Sequence, residues 1–400
     1  MLFGHPLADR ISQTARGAIL IFILLQITYN ATNGQIGTGN PFNHYVKFLP
    51  DTILIPTFWN EDERQLVEGT SLEAALKSKL ESLDHEFTNL REKTASIGWC
   101  IKHWWDTETG QIDFDDWKYV DAAYRSRALE VPNIGHAMVP CIDMANHASG
   151  KVTAALYEAD VDGNVVLLLR NGKAVDANAE VTITYGDKKG ACEMLFSYGF
   201  LEENTRSAKE LFLDIEVPSD DPLRMAKRAA SKSPPGFKLF SDIEKVGWEG
   251  PFVWLICVNE EDGLEFKIAQ SHDGEQELLM FFKSEALKDA SAFADILHND
   301  DNWHVFQLRA ITMVQGRVEQ QLLRLRASDD HVQGIQEHGD VRSEIEGHAM
   351  ELRDKEESLM LEAYEELEES KNALVKSPVV QQYLGRHLQQ GSLPHDEDFS

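Results

Sequence analysis

Four short groups of chemically capable residues fall in order along the chain: Ser126-Arg127-Ala128, Asp143-Met144-Ala145-Asn146-His147, Ile183-Thr184-Tyr185-Gly186 and Tyr198-Gly199-Phe200. They supply a guanidinium fork that can grip an anion, a carboxylate, an amide beside an imidazole, and two phenols. Such groups bind charge, hydrogen-bond a reacting atom or, at His147, move a proton. Each group alone says little, because an Asn-His pair is ordinarily a loop with satisfied side chains and a tyrosine at a strand end is ordinarily packing. Their order, with a hairpin between the second and third, is what makes them specific.

The hairpin is read from two β-rich runs, AALYEADV and NVVLLLRN, on either side of Asp162-Gly163, a tight-turn pair. Beyond it Val181, Ile183 and Tyr185 alternate with Thr182 and Thr184, which predicts a strand with Tyr185 on its apolar face. Upstream, Gly17 to Tyr29 (GAILIFILLQITY) is shorter than the ~20 residues of a membrane-spanning helix and is interrupted by Gln26, so it predicts a buried helix. Arg10 and Arg16 precede it as in a signal peptide, but the Asn-rich sequence that follows has no small-x-small cleavage site. Thr70-Ser71-Leu72-Glu73 forms a capping box, and Leu72, Leu76, Leu80, Leu83 and Phe87 continue it as an amphipathic helix.

After about Thr205 the chain reads as a second unit. ELFLDIEV predicts a strand; PFVWLICV, opening at Pro251, fits a strand or a buried helix. Leu308, Ile311, Val314, Val318 and Leu322 recur at helical spacing, and Ser343 to Leu374 is rich in helix formers. The closing GSLPHDEDFS reads as a disordered tail. No repeat of fixed period is present.

The 400 residues suggest two domains. The formal charge of −29 disfavours nucleic-acid phosphates and favours basic partners, or serves solubility alone. Cys100, Cys141, Cys192 and Cys257 form no CxxC pair or regular framework, so neither a metal site nor a disulfide scaffold is expected. A reduced, intracellular protein is the simpler inference; it is expected to be a monomer, to lie in the cytoplasm or nucleus, and to bind neither membrane nor nucleic acid.

SRAL, VPCIDMANH and ITYGDKKGACEMLFSYGF together resemble the SRxF, PxxDxxNH and YxxxxxNxELxxxYGF blocks of the SET-domain methyltransferases, in the branch of Rubisco large-subunit lysine methyltransferase. The resemblance implies an α+β architecture: a β-rich SET fold over residues 1–205 with a helical insert at about 40–125, a mainly α-helical substrate-binding domain over 206–390, and a tail at 391–400. It further implies an S-adenosylmethionine-dependent protein-lysine N-methyltransferase acting on a basic, non-histone protein such as a ribosomal or other cytosolic protein. The same resemblance is compatible with a catalytically impaired relative that only binds proteins, and with a protein-histidine N-methyltransferase.

Residue by residue, it implies that Arg127 meets the cofactor carboxylate and that Asp143, Met144, Ala145, Asn146 and His147 line the cofactor pocket. Tyr198, Gly199 and Phe200 would close it. Ser126, Arg127, Asp143 and Tyr198 would also meet the protein substrate. Tyr185 takes the position of the catalytic tyrosine, with Tyr198 at the family's interval of thirteen residues (198 − 185). Methyl transfer from a sulfonium needs amine, carbon and sulfur in line, and a phenol of ordinary pKa near 10 is a poor base, so Tyr185 is expected to orient the acceptor and stabilise charge. His147 is expected to be structural.

The chain departs from the family in two places. The family opens with a strand pair carrying a Gly-x-Gly turn, whereas this chain begins at its first helical stretch, so a SET domain without its N-terminal part is expected. Gly37-Thr38-Gly39 has the letters of that turn but follows the helix. Ala191 stands where the family usually has Asn.

Overall fold

The computed structural model describes residues 14–31, 42–108, 110–203, 205–242, 245–270, 276–287 and 292–390. Arg10, the Gly37-Thr38-Gly39 triplet and the tail at 391–400 lie outside the described residues. The chain divides into two compact units, the first made of Met1–Val67, Leu72–Glu203 and Ile335–Ala349, the second of Glu68–Ser71, Asn204–Gly334 and Met350–Ser400.

In the first unit, the apolar run near the N-terminus is the helix Ala15–Ala31. Ile19, Leu20, Ile21, Ile23, Leu24 and Leu25 form one core with Leu83 and Leu90 of helix Ser71–Thr94 and with Trp104 and Trp117. Burying each such side chain stabilises by about 1.5–3 kcal/mol. Among the described residues, no helix is long and apolar enough to cross a membrane. Short antiparallel hairpins follow: Leu129–Val131 with Gly135–Ala137, then Ala155–Ala159 with Val165–Leu169. Gly163 closes the second at φ +79°, the left-handed conformation glycine adopts without steric cost.

The strand expected at Val181–Tyr185 is reduced to one parallel bridge, His147 with Ile183. Ile183 N donates to Asn146 O, Ala148 N to Ile183 O and Ala155 N to Thr182 O. The segment therefore finds partners on both sides, but too few in succession for a ladder. The alternation still orients the side chains: Val181, Ile183 and Tyr185 share a small core with Leu129, Val131, Ala155 and Tyr157.

Glu63, whose side chain is fully buried, completes a capping box with Asn60 and receives the Arg342 guanidinium at 2.6 and 2.7 Å. Burial raises this carboxyl's pKa, and Arg342 with two backbone donors more than offsets that, leaving it below the ordinary range.

The second unit carries two three-stranded antiparallel sheets beside its helices. ELFLDIEV supplies the strand Glu210–Asp214, paired with Gly236–Ser241, which pairs in turn with Val246–Glu249. PFVWLICV is the helix Pro251–Ile256, with Pro251 in its first turn, where a missing N–H costs nothing. Leu264–Gln270, Gln276–Phe282 and Glu285–Leu287 make the other sheet. Helix Trp303–Ala327 buries Ile311, Val314, Val318 and Leu322, and Ser343–Val375 is helical throughout. The Glu68–Ser71 segment is held within this unit by Glu356, which accepts from Ser71 N and Oγ at 2.9 and 2.5 Å. Complete burial pushes the Glu356 carboxyl up to about 7.

Candidate active site

Arg127 is the last residue of helix Phe114–Arg127, which Asp113 and Asp116 start with a reciprocal capping box. Ser126 beside it turns its hydroxyl back to the Ala122 carbonyl at 2.8 Å. One Arg127 terminal nitrogen donates to the Asp143 carbonyl at 3.0 Å and meets the Met144 sulfur at 3.1 Å. Its Nε is buried with no partner among the described residues.

Asp143 sits in the short 3-10 turn Ile142–Met144. One carboxylate oxygen accepts the hydroxyl of Tyr45; the other, Oδ1, is buried without a partner among the described residues. Burial raises the carboxyl's pKa to about 6, with the Tyr45 hydrogen bond and the Arg127 charge opposing the rise. Arg127 and Asp143 thus present one unsatisfied donor and one unsatisfied acceptor. Groups like these ordinarily have partners when buried, so the two atoms are unmet hydrogen-bonding capacity on residues that line one cleft.

His147 is committed on both ring nitrogens: Nδ1 accepts the Tyr185 backbone N–H at 3.0 Å and Nε2 lies 2.9 Å from Glu202. Asn146 is exposed and donates to Glu180 at 2.5 Å. The Tyr185 hydroxyl donates to the Ala145 carbonyl at 3.0 Å. Its ring lies 4.5 Å from that of Tyr198, and His147 and Phe200 complete an aromatic group around it. Burial raises the Tyr185 pKa and pushes Tyr198 up to about 12, so both hydroxyls stay protonated at neutral pH. They can donate hydrogen bonds there but cannot serve as bases.

Ser126, Arg127, Asp143, Tyr185 and Tyr198 line one cleft of about 480 Å³, together with Glu130, His136, Tyr157, Gly186 and Lys189. Met144, Ala145, Asn146, His147, Gly199 and Phe200 stand outside its lining. Gly199 has a local reason to be glycine: it ends helix Ala191–Tyr198 at φ +79°, and a Cβ there would lie 2.8 Å from the Leu54 carbonyl oxygen. Ala191 is the buried first residue of that helix. Sequence reasoning missed Tyr45 and Tyr157. Tyr157 had a signal, the alternation of Ala155, Tyr157 and Ala159 toward one face; Tyr45 had none.

No family model matches the chain. It is 32% identical over 232 residues to SET domain-containing protein 8 of Schizosaccharomyces pombe, covering 57% of this chain and 51% of that protein. It is 26% identical over 275 residues to the chloroplastic ribulose-1,5 bisphosphate carboxylase/oxygenase large subunit N-methyltransferase of Pisum sativum, covering 63% and 55% of the two chains. An actin-histidine N-methyltransferase of Xenopus tropicalis matches at 24% over 165 residues, covering 40% of this chain and 27% of that one. The chain thus spans about half the length of the first two relatives. The solved structure of Rubisco LSMT bound to AdoMet superposes with a TM-score of 0.60 at 17% identity, over 98% of this chain and 85% of that one. The α+β fold is therefore SET-like, and the chain is related to the SET-domain methyltransferases of the Rubisco LSMT kind.

Proposed function

We propose that the chain is an S-adenosylmethionine-dependent protein-lysine N-methyltransferase. The observation that carries this is the cleft that brings Arg127, Asp143, Tyr185 and Tyr198 together with an unpaired buried donor and an unpaired buried acceptor. Those two orphan atoms fit a zwitterionic amino-acid moiety such as the methionine end of the cofactor, with the Arg127 guanidinium meeting a carboxylate and Asp143 Oδ1 an ammonium. When bound, the cofactor supplies an electrophilic methyl group. Arg127 and Asp143 hold and orient. Tyr185 and Tyr198 wall the acceptor slot with rings and protonated hydroxyls; desolvation there lowers the pKa of a lysine amine and favours its neutral, nucleophilic form.

The acceptor would belong to a basic, non-histone protein such as a ribosomal or other cytosolic one, attracted by the chain's charge of −29. The second unit would be the substrate-binding domain, the protein a monomer, and its compartment the cytoplasm or nucleus. A second acceptor, histidine, is supported by the similarity to the actin-histidine N-methyltransferase.

Titration calorimetry with S-adenosylmethionine, followed by mass spectrometry of a methylated protein partner, tests the proposal. Saturable binding and a methyl group on lysine are expected. Methylation on histidine would replace the first reading with the second; no binding of the cofactor would leave a non-catalytic protein-binding relative.

A further inference from the structure

We infer that the second unit carries a docking cleft for an extended, cationic segment of a protein partner, built on a ladder of three tryptophans. This deepens the function proposed above by giving a basic partner a specific place to bind, and it rests on that proposal only for the partner's role as substrate.

Trp248 on strand Val246–Glu249, Trp254 on helix Pro251–Ile256 and Trp303 at the start of helix Trp303–Ala327 stack in series, with ring centroids 5.4 and 5.0 Å apart and planes tilted by 29° and 28°. The arrangement follows from the turn between the first two. Gly250 is buried with its α-carbon facing Phe237, and a Cβ there would lie 2.7 Å from the Phe237 Cβ. This close approach lets the chain pass from strand to helix within one residue and lays Trp254 on Trp248. All three indoles are half-buried rather than interior, and they line a cleft of about 410 Å³.

The charges select the occupant. Among the described residues, Glu249 is the only charged one lining the cleft. It shares the Lys238 ammonium with Glu210, so two carboxylates face one cation and the group keeps a net negative charge. Trp248 and Ile311 also line an adjoining cleft of about 290 Å³, where Glu366 is exposed and has no hydrogen-bond or ion-pair partner among the described residues. The one cation lining that second cleft among the described residues, Lys245, lies over the Phe240 ring. Trp254 has both faces taken by its neighbours and Trp303 also meets the His298 ring edge-to-face, so the faces left to a cation are the outer ones of Trp248 and Trp303. Such faces attract guanidinium and ammonium groups electrostatically, and planar guanidinium stacks on them. An arginine- or lysine-bearing peptide fits this combination; an acidic one does not.

Fluorescence anisotropy on the full chain, without cofactor, tests this with three labelled decapeptides in which glycine alternates with arginine, glutamate or proline. The arginine peptide is expected to bind and the other two to bind weakly or not at all. Trp254→Leu and Trp303→Leu should each weaken the arginine peptide by about tenfold, and Glu249→Gln should weaken it measurably. Glu92→Gln, which removes one exposed charge from the first unit, should leave it unchanged. Unfolding midpoints identify any variant that fails to fold, and the remaining ladder variant with Glu249→Gln then decides. Equal losses in the ladder variants and Glu92→Gln would reduce the binding to general charge attraction and overturn the inference, as would tighter binding of the proline peptide. A chain that binds the arginine peptide yet takes up no S-adenosylmethionine would keep this inference and sink the proposed activity.

Discussion

The backbone N–H of Tyr185 donates to Nδ1 of His147, so that nitrogen carries a lone pair and the ring proton sits on Nε2, facing Glu202. The imidazole is a bracket between the Tyr185 backbone and a carboxylate, with no free nitrogen to take a proton from a substrate. His147→Leu should therefore destabilise the fold by about 1–3 kcal/mol, the cost of stranding buried polar groups, as read by urea unfolding. His147→Asn, whose amide oxygen can replace Nδ1, should keep most of the turnover. Loss of a titrating limb from the pH–rate profile in a folded His147→Asn protein would make the imidazole a base after all.

Tyr185→Phe removes a hydroxyl that stays protonated at neutral pH and leaves the Ala145 carbonyl without its donor. Turnover is expected to fall by on the order of tenfold or more, one hydrogen bond's worth of transition-state stabilisation, while affinity for S-adenosylmethionine changes little. Unchanged turnover would remove Tyr185 from the chemistry.

Arg127→Ala takes away the buried unpaired Nε along with the contacts to Asp143 and Met144. Loss of a charge-assisted contact of about 1.5–3 kcal/mol predicts roughly tenfold to hundredfold weaker cofactor binding in calorimetry. An unchanged dissociation constant would refute the assignment.

Asp143 gives a pH dependence with a definite sign. Its carboxyl sits at about 6 in the folded protein, above the ordinary value near 3.9, so between those values the native state holds a proton that the unfolded chain has released. Stability should accordingly fall by about 2–3 kcal/mol as pH rises through that window. Asp143→Asn should flatten this slope and be the more stable protein at pH ~7. Urea unfolding at several pH values checks it; parallel slopes in the two proteins would show that the strain lies elsewhere.

What the sequence disclosed was what local pattern can disclose. The Asp162-Gly163 turn and the apolar spacing of helices Ala15–Ala31, Ser71–Thr94 and Trp303–Ala327 depend on neighbours a few residues away, and they were legible. Tyr185 was placed on the correct face, yet its strand was not formed, because the segment's pairing partners come singly from Asn146–Ala148 and from Ala155. PFVWLICV was ambiguous since a short apolar run has no readable period; Pro251 in the first turn and the close packing of Gly250 settle it as a helix. Tyr45 was out of reach: it meets Asp143 across 98 residues, and no local rule marks a tyrosine for such a contact. Gly199, read as a pocket residue, has in addition a local role that no sequence pattern disclosed: its conformation and the nearby Leu54 backbone let it end a helix.

The pairing of Glu63 with Arg342 joins positions 279 residues apart, and both belong to the first unit because Ile335–Ala349 returns to it. A fragment ending at Glu203 would thus carry an interior anion stripped of its counter-ion, and the Asn60 cap that relies on the same carboxylate would loosen with it. The first unit is not a portable cassette. Its folding information is distributed across the gene, so recombination that swaps one half of the chain for a foreign half must bring a matching return segment or forfeit the structure that holds the cleft.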